Sequence, residues 1–510
     1  VPYGRKVFLQ FGEVLQDGHF YRDNLRTAKA EFEYISDGQP RIIRPHFTFY
    51  GFRYIRVTGI ENFSPEDMVV SAIYSDIPME SVLTTGNEKL NRLLSNCAWG
   101  MKSNFVDLPT DCPQRDERMG WTGDTQVFAA TACYLTDACA FYEKYLYDMQ
   151  KEQNKRGGCV PDTIPAFYMR GGCCVWGDAA TILPWTLYLF YGDVNILRTA
   201  LPSMRAWVDY IAAVDGDTHH WREVFHFGDW LALDHPSGRA DEVRGGTDEG
   251  FIADAYYYHS TRLVAKAAAV LGDNETAAAY QKRAEKILSD LQQEYFTPTG
   301  RCAVDTQTAQ ILALYFGLTD YPERAHRELM RLLHLRGDKL STGFVGTPLL
   351  CRVLSQVGED KMAYHLLHNE EYPGWLYEVN LGATTIWERW NSLSPDGSVS
   401  STGMNSFNHY AYGAIGEWMW RTMAGINPCE EQPGFKRVVL RPVPDTATKH
   451  VTAEYHSPAG CYRVAWCMEE AGICRFHIEI PFDCTASLLL LGEKPMELEC
   501  GCYDFACAVE

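Results

Sequence analysis

Three regimes of hydrophobic patterning divide the chain. From Val1 to about Tyr74, short apolar runs alternate with Gly, Pro and Asp, and Lys6–Phe11, Phe32–Ile35, Phe47–Phe52 and Tyr54–Val57 read as β-strands. Within this region Pro45–Val57 (PHFTFYGFRYIRV) alternates aromatic and polar residues, which in a strand sets its rings on one face, suited to packing against a neighbouring domain. From about Thr84 to Ile426 the apolar positions recur at helical spacing, as in Leu90, Leu93, Leu94 and Cys97 or Leu263, Ala267, Val270 and Leu271. Twelve helices are predicted, near 87–103, 124–135, 137–154, 178–191, 194–215, 252–272, 274–294, 306–316, 321–336, 347–358, 360–370 and 405–424. Short turns join most of them, but long Gly-, Trp- and Asp-rich connections occupy 104–123, 155–177, 217–250, 337–346 and 371–404. In a closed ring of helical hairpins such loops gather at one end and can build a pocket on a rigid scaffold. After Ile426 prolines end the helical pattern, and strands are read in Val451–Ile480 and Ala486–Leu491, with a hairpin turn at 469–472. The expected architecture is a multidomain chain: an N-terminal β-sandwich at 1–80, a central all-α (α/α)6 barrel at 81–427 and a C-terminal β-sandwich at 428–510. Unit lengths are too irregular for a helical-repeat solenoid.

Composition narrows the partners. A formal net charge of −20 over 510 residues argues against nucleic acid or an anionic membrane as partner, since either selects basic patches. A neutral or cationic small molecule stays open. No apolar run approaches the length a membrane helix requires, and VPYGRKVFLQ has no signal-peptide core. Because Val1 enters strand-like sequence without an initiator Met, the chain is read as N-terminally truncated, so a lost leader stays open. The 17 cysteines form no CxxC pair and read as reduced, mostly buried thiols of a cytoplasmic protein. A metal cluster from Cys500, Cys502 and Cys507 lacks a fourth ligand and a suitable spacing.

The chemistry concentrates in Asp107–Asp124 (DLPTDCPQRDERMGWTGD). Asp107, Asp111, Asp116, Glu117 and Asp124 lie there among prolines and glycines that keep them off a regular helix face. Carboxylates beside a tryptophan suit sugar chemistry: acids hold hydroxyls or transfer protons, and the indole covers an apolar sugar face. The other long loops repeat the pairing, with VWGD at 175–178, FGDWL at 227–231, TIWERW at 385–390 and NHY at 408–410. Glu117 is the candidate acid, with Met119 and Trp121 as apolar neighbours, and Glu388, between Trp387 and Trp390, the candidate base. His409 is read either as a hydroxyl partner or as a loop cap. His219, His220, His226 and His235 lack zinc-ligand spacing, and nucleotide-binding and serine-hydrolase motifs are absent, so no metal and no cofactor is expected.

DCPQRDERMGWTGD at 111–124 with GATTIWERW at 382–390 resembles the inverting α-L-rhamnosidases of glycoside hydrolase family 78, and the resemblance extends over nearly the whole chain. It implies an exo-acting hydrolase of terminal, non-reducing α-L-rhamnosyl groups of glycosides or oligosaccharides, with Glu117 as general acid and Glu388 as general base. Asp111 and Asp124 would hold hydroxyls, with Arg115, Asp116 and Asp178 close by. Trp121, Trp176 and Trp230 would form the wall that receives the C6 methyl group, and His409 would bond a hydroxyl. Inversion places the two carboxyl groups roughly 6.5–9.5 Å apart. The alternatives are another inverting hydrolase of the same fold with a different glycone, and a non-catalytic carbohydrate-binding protein. Dimerisation is left open.

Overall fold

The computed structural model describes residues 1–167, 171–216, 218–239, 242–400, 403–469 and 472–508. The N-terminal unit pairs β1 (Lys6–Gly12) with β4 (Glu31–Ile35) on one side and β5 (Tyr54–Thr58) on the other, all antiparallel, beside a hairpin of β2 (Val14–Gln16) and β3 (His19–Tyr21). The expected strand Phe47–Phe52 is absent. That segment is irregular, and Phe47 sits at φ +56° with its ring in solvent. Tyr50 and Phe52 still turn inward onto Phe11, at ring-centroid distances of 4.1 and 5.1 Å.

The helical region comprises α1 (Glu88–Asn104), α2 (Thr122–Leu135), α3 (Cys139–Asn154), α4 (Ala179–Tyr191), α5 (Val194–Asp215), α6 (Glu249–Val270), α7 (Asn274–Tyr295), α8 (Gln307–Phe316), α9 (Pro322–Leu335), α10 (Thr347–Gln356), α11 (Asp360–His368), α12 (Trp375–Asn380) and α13 (Ile415–Trp418). Starts coincide with side-chain caps: Asn87, Asp193, Asp248, Asp273 and Thr306 each accept a first-turn backbone N–H. Burial separates two kinds of helix. In α2 every residue but Val127 is buried, whereas α9 buries only Ala325, Leu329 and Leu333, one stripe at i, i+4, i+8. The well-buried kind packs in closed succession, α2 on α4, α4 on α6, α6 on α8, α8 on α10, α10 on α13 and α13 back on α2, while α5, α7, α9 and α11 lie against them.

Two expectations in the last third of this region fail. Residues 405–410 are irregular, and the helix begins only as a 3-10 turn at Ala411, passes through α13 and ends in a π turn at Met419–Met423. Its backbone is used elsewhere: Ser406 O accepts from Glu388 N at 2.9 Å and His409 N donates to Ile386 O at 2.8 Å. Conversely, the long connection 371–404 contains α12. Around the helices run β6 (Val82–Thr85), the tiny pair β7 (Phe105–Val106) and β8 (Leu108–Pro109), and β9 (Ile426–Pro428).

The C-terminal unit holds β10 (Arg437–Leu440), β11 (His450–Ser457), β12 (Gly460–Met468), β13 (Ile473–Ile480), β14 (Thr485–Leu488), β15 (Met496–Leu498) and β16 (Gly501–Ala508) in two sheets, of order β15-β14-β10-β9 and β16-β13-β12-β11-β6. The edge strand β6 precedes the first helix, so the second sheet is closed by residues about 370 positions upstream, Val451 opposite Thr85. Of the expected turn at 469–472, Glu470 and Ala471 lie outside the described residues. One continuous apolar core links these sheets to the helices through Tyr134, Trp420, Phe435 and Tyr455, with Tyr134 stacked on Trp420 at 5.6 Å. All 17 cysteines are free thiols, and among the described residues no helix is long and apolar enough to cross a membrane.

Candidate active site

The loop between β8 and α2 folds inward because its own polar groups close it. Asp111 N donates to Met119 O at 3.0 Å and Asp111 Oδ1 accepts from Met119 N at 2.8 Å, so residues 111–119 form a ring that buries Cys112, Pro113, Gln114 and Arg115. Gly51 of the N-terminal unit makes the fit possible: a Cβ there would stand 2.8 Å from both Gln114 Cβ and Pro113 Cγ. Arg118 lies over the Phe49 ring and donates to Phe49 O at 3.2 Å. The aromatic stretch 45–52 thus docks on the loop that carries the acids, although not as a strand, and only 54–57 enters β5.

Arg115, 1% exposed, is the centre of the cluster. Its Nη1 and Nη2 hold the two oxygens of Glu388 at 2.6 and 3.0 Å, and Nη2 also lies 2.9 Å from Glu117 Oε2 and 3.3 Å from Asp111 Oδ2. Three carboxylates therefore share one buried guanidinium in a planar fork that Lys could not supply. Because Glu117 and Glu388 both touch Nη2, their nearest oxygens lie no more than 5.9 Å apart, the 2.9 and 3.0 Å contacts laid end to end. The ceiling applies to the nearest oxygens, whereas the expected distance of roughly 6.5–9.5 Å separates the carboxyl groups as wholes. The Arg115 guanidinium bridges the two carboxylates.

Burial opposes the charge on Glu388, but Arg115, His409 and the Ser406 N–H, which donates to Oε2 at 2.8 Å, outweigh it and bring the carboxyl down to about 2. Asp111 goes the other way. Burial and the Glu117 charge prevail over Arg115 and His409 and push it up to about 7. His409 Nε2 stands 3.0 Å from Asp124 Oδ1. Burial would disfavour the imidazolium, yet Asp124, Glu388 and Asp111 raise its pKa above the usual histidine value.

An aromatic wall borders these groups. Phe227 is its hub, with ring centroids 4.4 Å from Trp176, 5.4 Å from Trp230 and 5.9 Å from Trp121. Gly123 permits it, since a Cβ there would meet the Trp176 ring at 2.6 Å. The indole N–H groups of Trp121 and Trp176, with His409 Nδ1 and Arg115 Nε, are buried without a hydrogen-bond partner among the described residues. Buried donors left unpaired are costly.

Two expected binding residues sit elsewhere. Asp178 is fully buried: Oδ1 accepts from Trp207 Nε1 at 2.9 Å and Ser260 Oγ at 2.6 Å, and Oδ2 from Val175 N at 2.7 Å. It pins the loop beneath Trp176, where Val175 adopts φ +71°. The neighbouring acid of the FGDWL segment, Asp229, is spent in the same way on Thr308 and the backbone of Gly343 and Val345. Asp116 points to the N-terminal unit, accepting from Arg26 Nε at 2.7 Å and from Thr27 N at 3.2 Å.

The residues that sequence reasoning missed are Arg26, Glu13 and Phe227. Arg26 Nη2 donates to Glu117 Oε2 at 2.6 Å, so the N-terminal unit grips the acid candidate directly. Glu13, buried between β1 and β2, accepts from Asn24 at 2.8 Å and Gln114 at 3.0 Å, and burial raises its carboxyl to about 7 against those bonds and the Arg115 charge. Phe227 lies within the FGDWL segment, whereas Arg26 and Glu13 stand about 100 residues before the loop they reach. A wide cleft of about 2020 Å³ between the N-terminal sheet and the helical body includes neither Glu117 nor Glu388.

Fold and site define the class first: a domain of helical hairpins between two β units, with a carboxylate cluster of the kind glycosidases use. Residues 78–423 match the family model described as the bacterial alpha-L-rhamnosidase 6 hairpin glycosidase domain, with the family's concanavalin-like domain at 1–74 and its C-terminal domain at 425–499. The chain belongs to the bacterial α-L-rhamnosidase family. It is 38% identical over 499 residues to an α-L-rhamnosidase of Alteromonas sp. (strain LOR), covering 96% of this chain and 54% of that protein. The crystal structure of Streptomyces avermitilis α-L-rhamnosidase complexed with L-rhamnose superposes with a TM-score of 0.93 at 36% identity, over 99% of this chain and 50% of that one. Native α-L-rhamnosidase from Aspergillus terreus gives 0.92 at 32% identity, over 100% and 60%. The chain spans about half the length of the curated relatives it matches.

Proposed function

We propose that the chain hydrolyses terminal, non-reducing α-L-rhamnosyl groups of glycosides or oligosaccharides with inversion, on an (α/α)6 barrel flanked by β-sandwich units with boundaries near 80 and 427. The observation that carries the reading is the buried Arg115 fork, which joins Glu117 and Glu388 beside a tryptophan wall in which the Trp121 and Trp176 N–H groups have no hydrogen-bond partner among the described residues. Family membership and the rhamnose complex of the Streptomyces relative support rhamnose as the glycone. In this reading Glu117, held through Oε2 and still partly open to solvent, donates the proton to the departing glycosidic oxygen. Glu388 takes the proton of the attacking water. Its Arg115 grip makes it a weak base, so the reaction requires Arg115 to yield one of its two contacts to water in the substrate complex. Asp124 and His409, with Asp111 behind them, bind the hydroxyls, and Trp121, Trp176 and Trp230 receive the C6 methyl.

The test is hydrolysis of p-nitrophenyl α-L-rhamnoside, with NMR of the anomer released first. Release of the inverted sugar, reduced on the order of a hundredfold or more in both Glu117→Gln and Glu388→Gln, is expected. A retained anomer overturns the assignment of Glu388 as a base, and turnover of a different glycone in a panel of chromogenic glycosides overturns the substrate.

A further inference from the structure

On the outer face of the C-terminal sheet, far from Glu117 and Glu388 in the fold, three different donor atoms converge. Glu454 and His456 are two apart on β11 and so share a face, and Cys461 on β12 is the register partner of His456. His456 Nε2 lies 3.2 Å from Glu454 Oε1, Cys461 Sγ 3.6 Å from the same oxygen, and Sγ 3.8 Å from Nε2. Paired hydrogen bonds would not need all three atoms to meet. A tetrahedral ion does: with metal bonds of about 2.3 Å to sulfur, 2.05 Å to nitrogen and 2.1 Å to oxygen, the ligand edges come to about 3.6 Å for S···N, 3.4 Å for N···O and 3.6 Å for S···O. The observed triangle matches each within about 0.2 Å.

We propose that Glu454, His456 and Cys461 form a surface site for a borderline-soft divalent cation, Zn2+, with water in the fourth position. Thiolate and imidazole with one carboxylate select Zn2+ over Ca2+ or Mg2+, which prefer oxygen. On binding, the Cys461 S–H bond breaks, the proton leaves to solvent and the thiolate takes the metal. Arg463 is the local competitor: it donates to Glu454 Oε1 at 3.1 Å and to Glu479 Oε2 at 2.7 Å. It can keep Glu479 and move to the second Glu454 oxygen when Oε1 takes the metal. The hairpin is already fixed, with the Ser457 hydroxyl donating to Gly460 O at 2.7 Å and His456 N to the Ser81 hydroxyl at 3.1 Å, so little ordering is left for binding to supply.

The experiment is a titration of the reduced chain with Co2+, followed by Zn2+ displacement, reading the thiolate-to-cobalt charge-transfer absorbance. Cys461→Ser, His456→Ala and Cys467→Ser are run beside the parent, because Cys467 is an exposed thiol of the same strand outside the triangle. The expected result is a one-equivalent thiolate band in the parent and in Cys467→Ser, displaced by Zn2+. It should be lost in Cys461→Ser and weakened more than about tenfold in His456→Ala, which loses one of three protein ligands. A band that survives Cys461→Ser, is untouched by His456→Ala, or vanishes in Cys467→Ser overturns the site, as does the absence of any band in the parent.

Discussion

Replacing Arg115 by Met removes the guanidinium while nearly keeping its length, and strands Glu388, 2% exposed, in a site built for an ion pair. Removing one partner of a buried pair costs about 3–5 kcal/mol, because the other charge is left without compensation. A second route gives a similar figure. Glu388 is held at about 2 against an ordinary 4.5 by Arg115 together with His409 and the Ser406 N–H, and losing the whole of that depression is worth on the order of 3 kcal/mol at about 1.36 kcal/mol per pKa unit. The sign follows from linkage. A carboxyl with a depressed folded pKa contributes stability above its unfolded value and loses it as pH falls toward the folded one. The penalty in Arg115→Met should therefore be full at pH 7 and shrink as pH drops from about 4.5 toward 2, where the parent forfeits the same contribution. Urea unfolding of parent and variant at pH 7 and at pH 3.5 measures this. A loss below about 1 kcal/mol at pH 7, or one that does not change with pH, would refute the argument that Arg115 compensates these carboxylates. Arg115→Lys should recover only part of the loss, since an ammonium cannot span both Glu388 oxygens.

Arg26→Ala removes the 2.6 Å contact to Glu117 and the 2.7 Å contact to Asp116, and with charge-assisted bonds worth about 1.5–3 kcal/mol it should lower kcat/KM for the rhamnoside by roughly ten- to a hundredfold; unchanged kinetics would show that the N-terminal unit does not position the acid. Asp178→Asn should cost about 1–3 kcal/mol in urea unfolding, since an amide cannot accept from Trp207, Ser260 and Val175 together, while rhamnose affinity stays near that of the parent; a weakened affinity with unchanged stability would return Asp178 to the binding residues. Glu13 has a raised folded pKa of about 7 against 4.5 unfolded, so the native state binds the extra proton and stability falls as pH rises from about 4.5 to 7. Glu13→Gln should flatten that fall by on the order of 3 kcal/mol between pH 4.5 and 8, read by urea midpoints; an identical pH profile in both proteins would sink the attribution.

Helix positions were legible because burial on one face leaves a period in the sequence: the stripe Ala325, Leu329, Leu333 of α9 is readable without coordinates. The acid loop was legible for a related reason, since carboxylates, prolines and glycines that fit no regular element mark a loop held for chemistry. Partners were not legible, because side chains meet through space and leave no spacing behind. Composition alone could not tell that Asp178 and Asp229 staple loops while Asp124 faces His409, for each is an acid within a few residues of a tryptophan. Nor could it show that 405–410 gives up its helix to bond Glu388 and Ile386, or that Arg26 and Glu13, about 100 residues before the loop they grip, belong to the site at all. The chain itself determined which segments could be helix, strand or reactive loop, because local periodicity and turn chemistry act over a few residues. Only the tertiary structure decided which charges neutralise one another, because that depends on distances of about 3 Å between residues as far apart as Arg115 and Glu388.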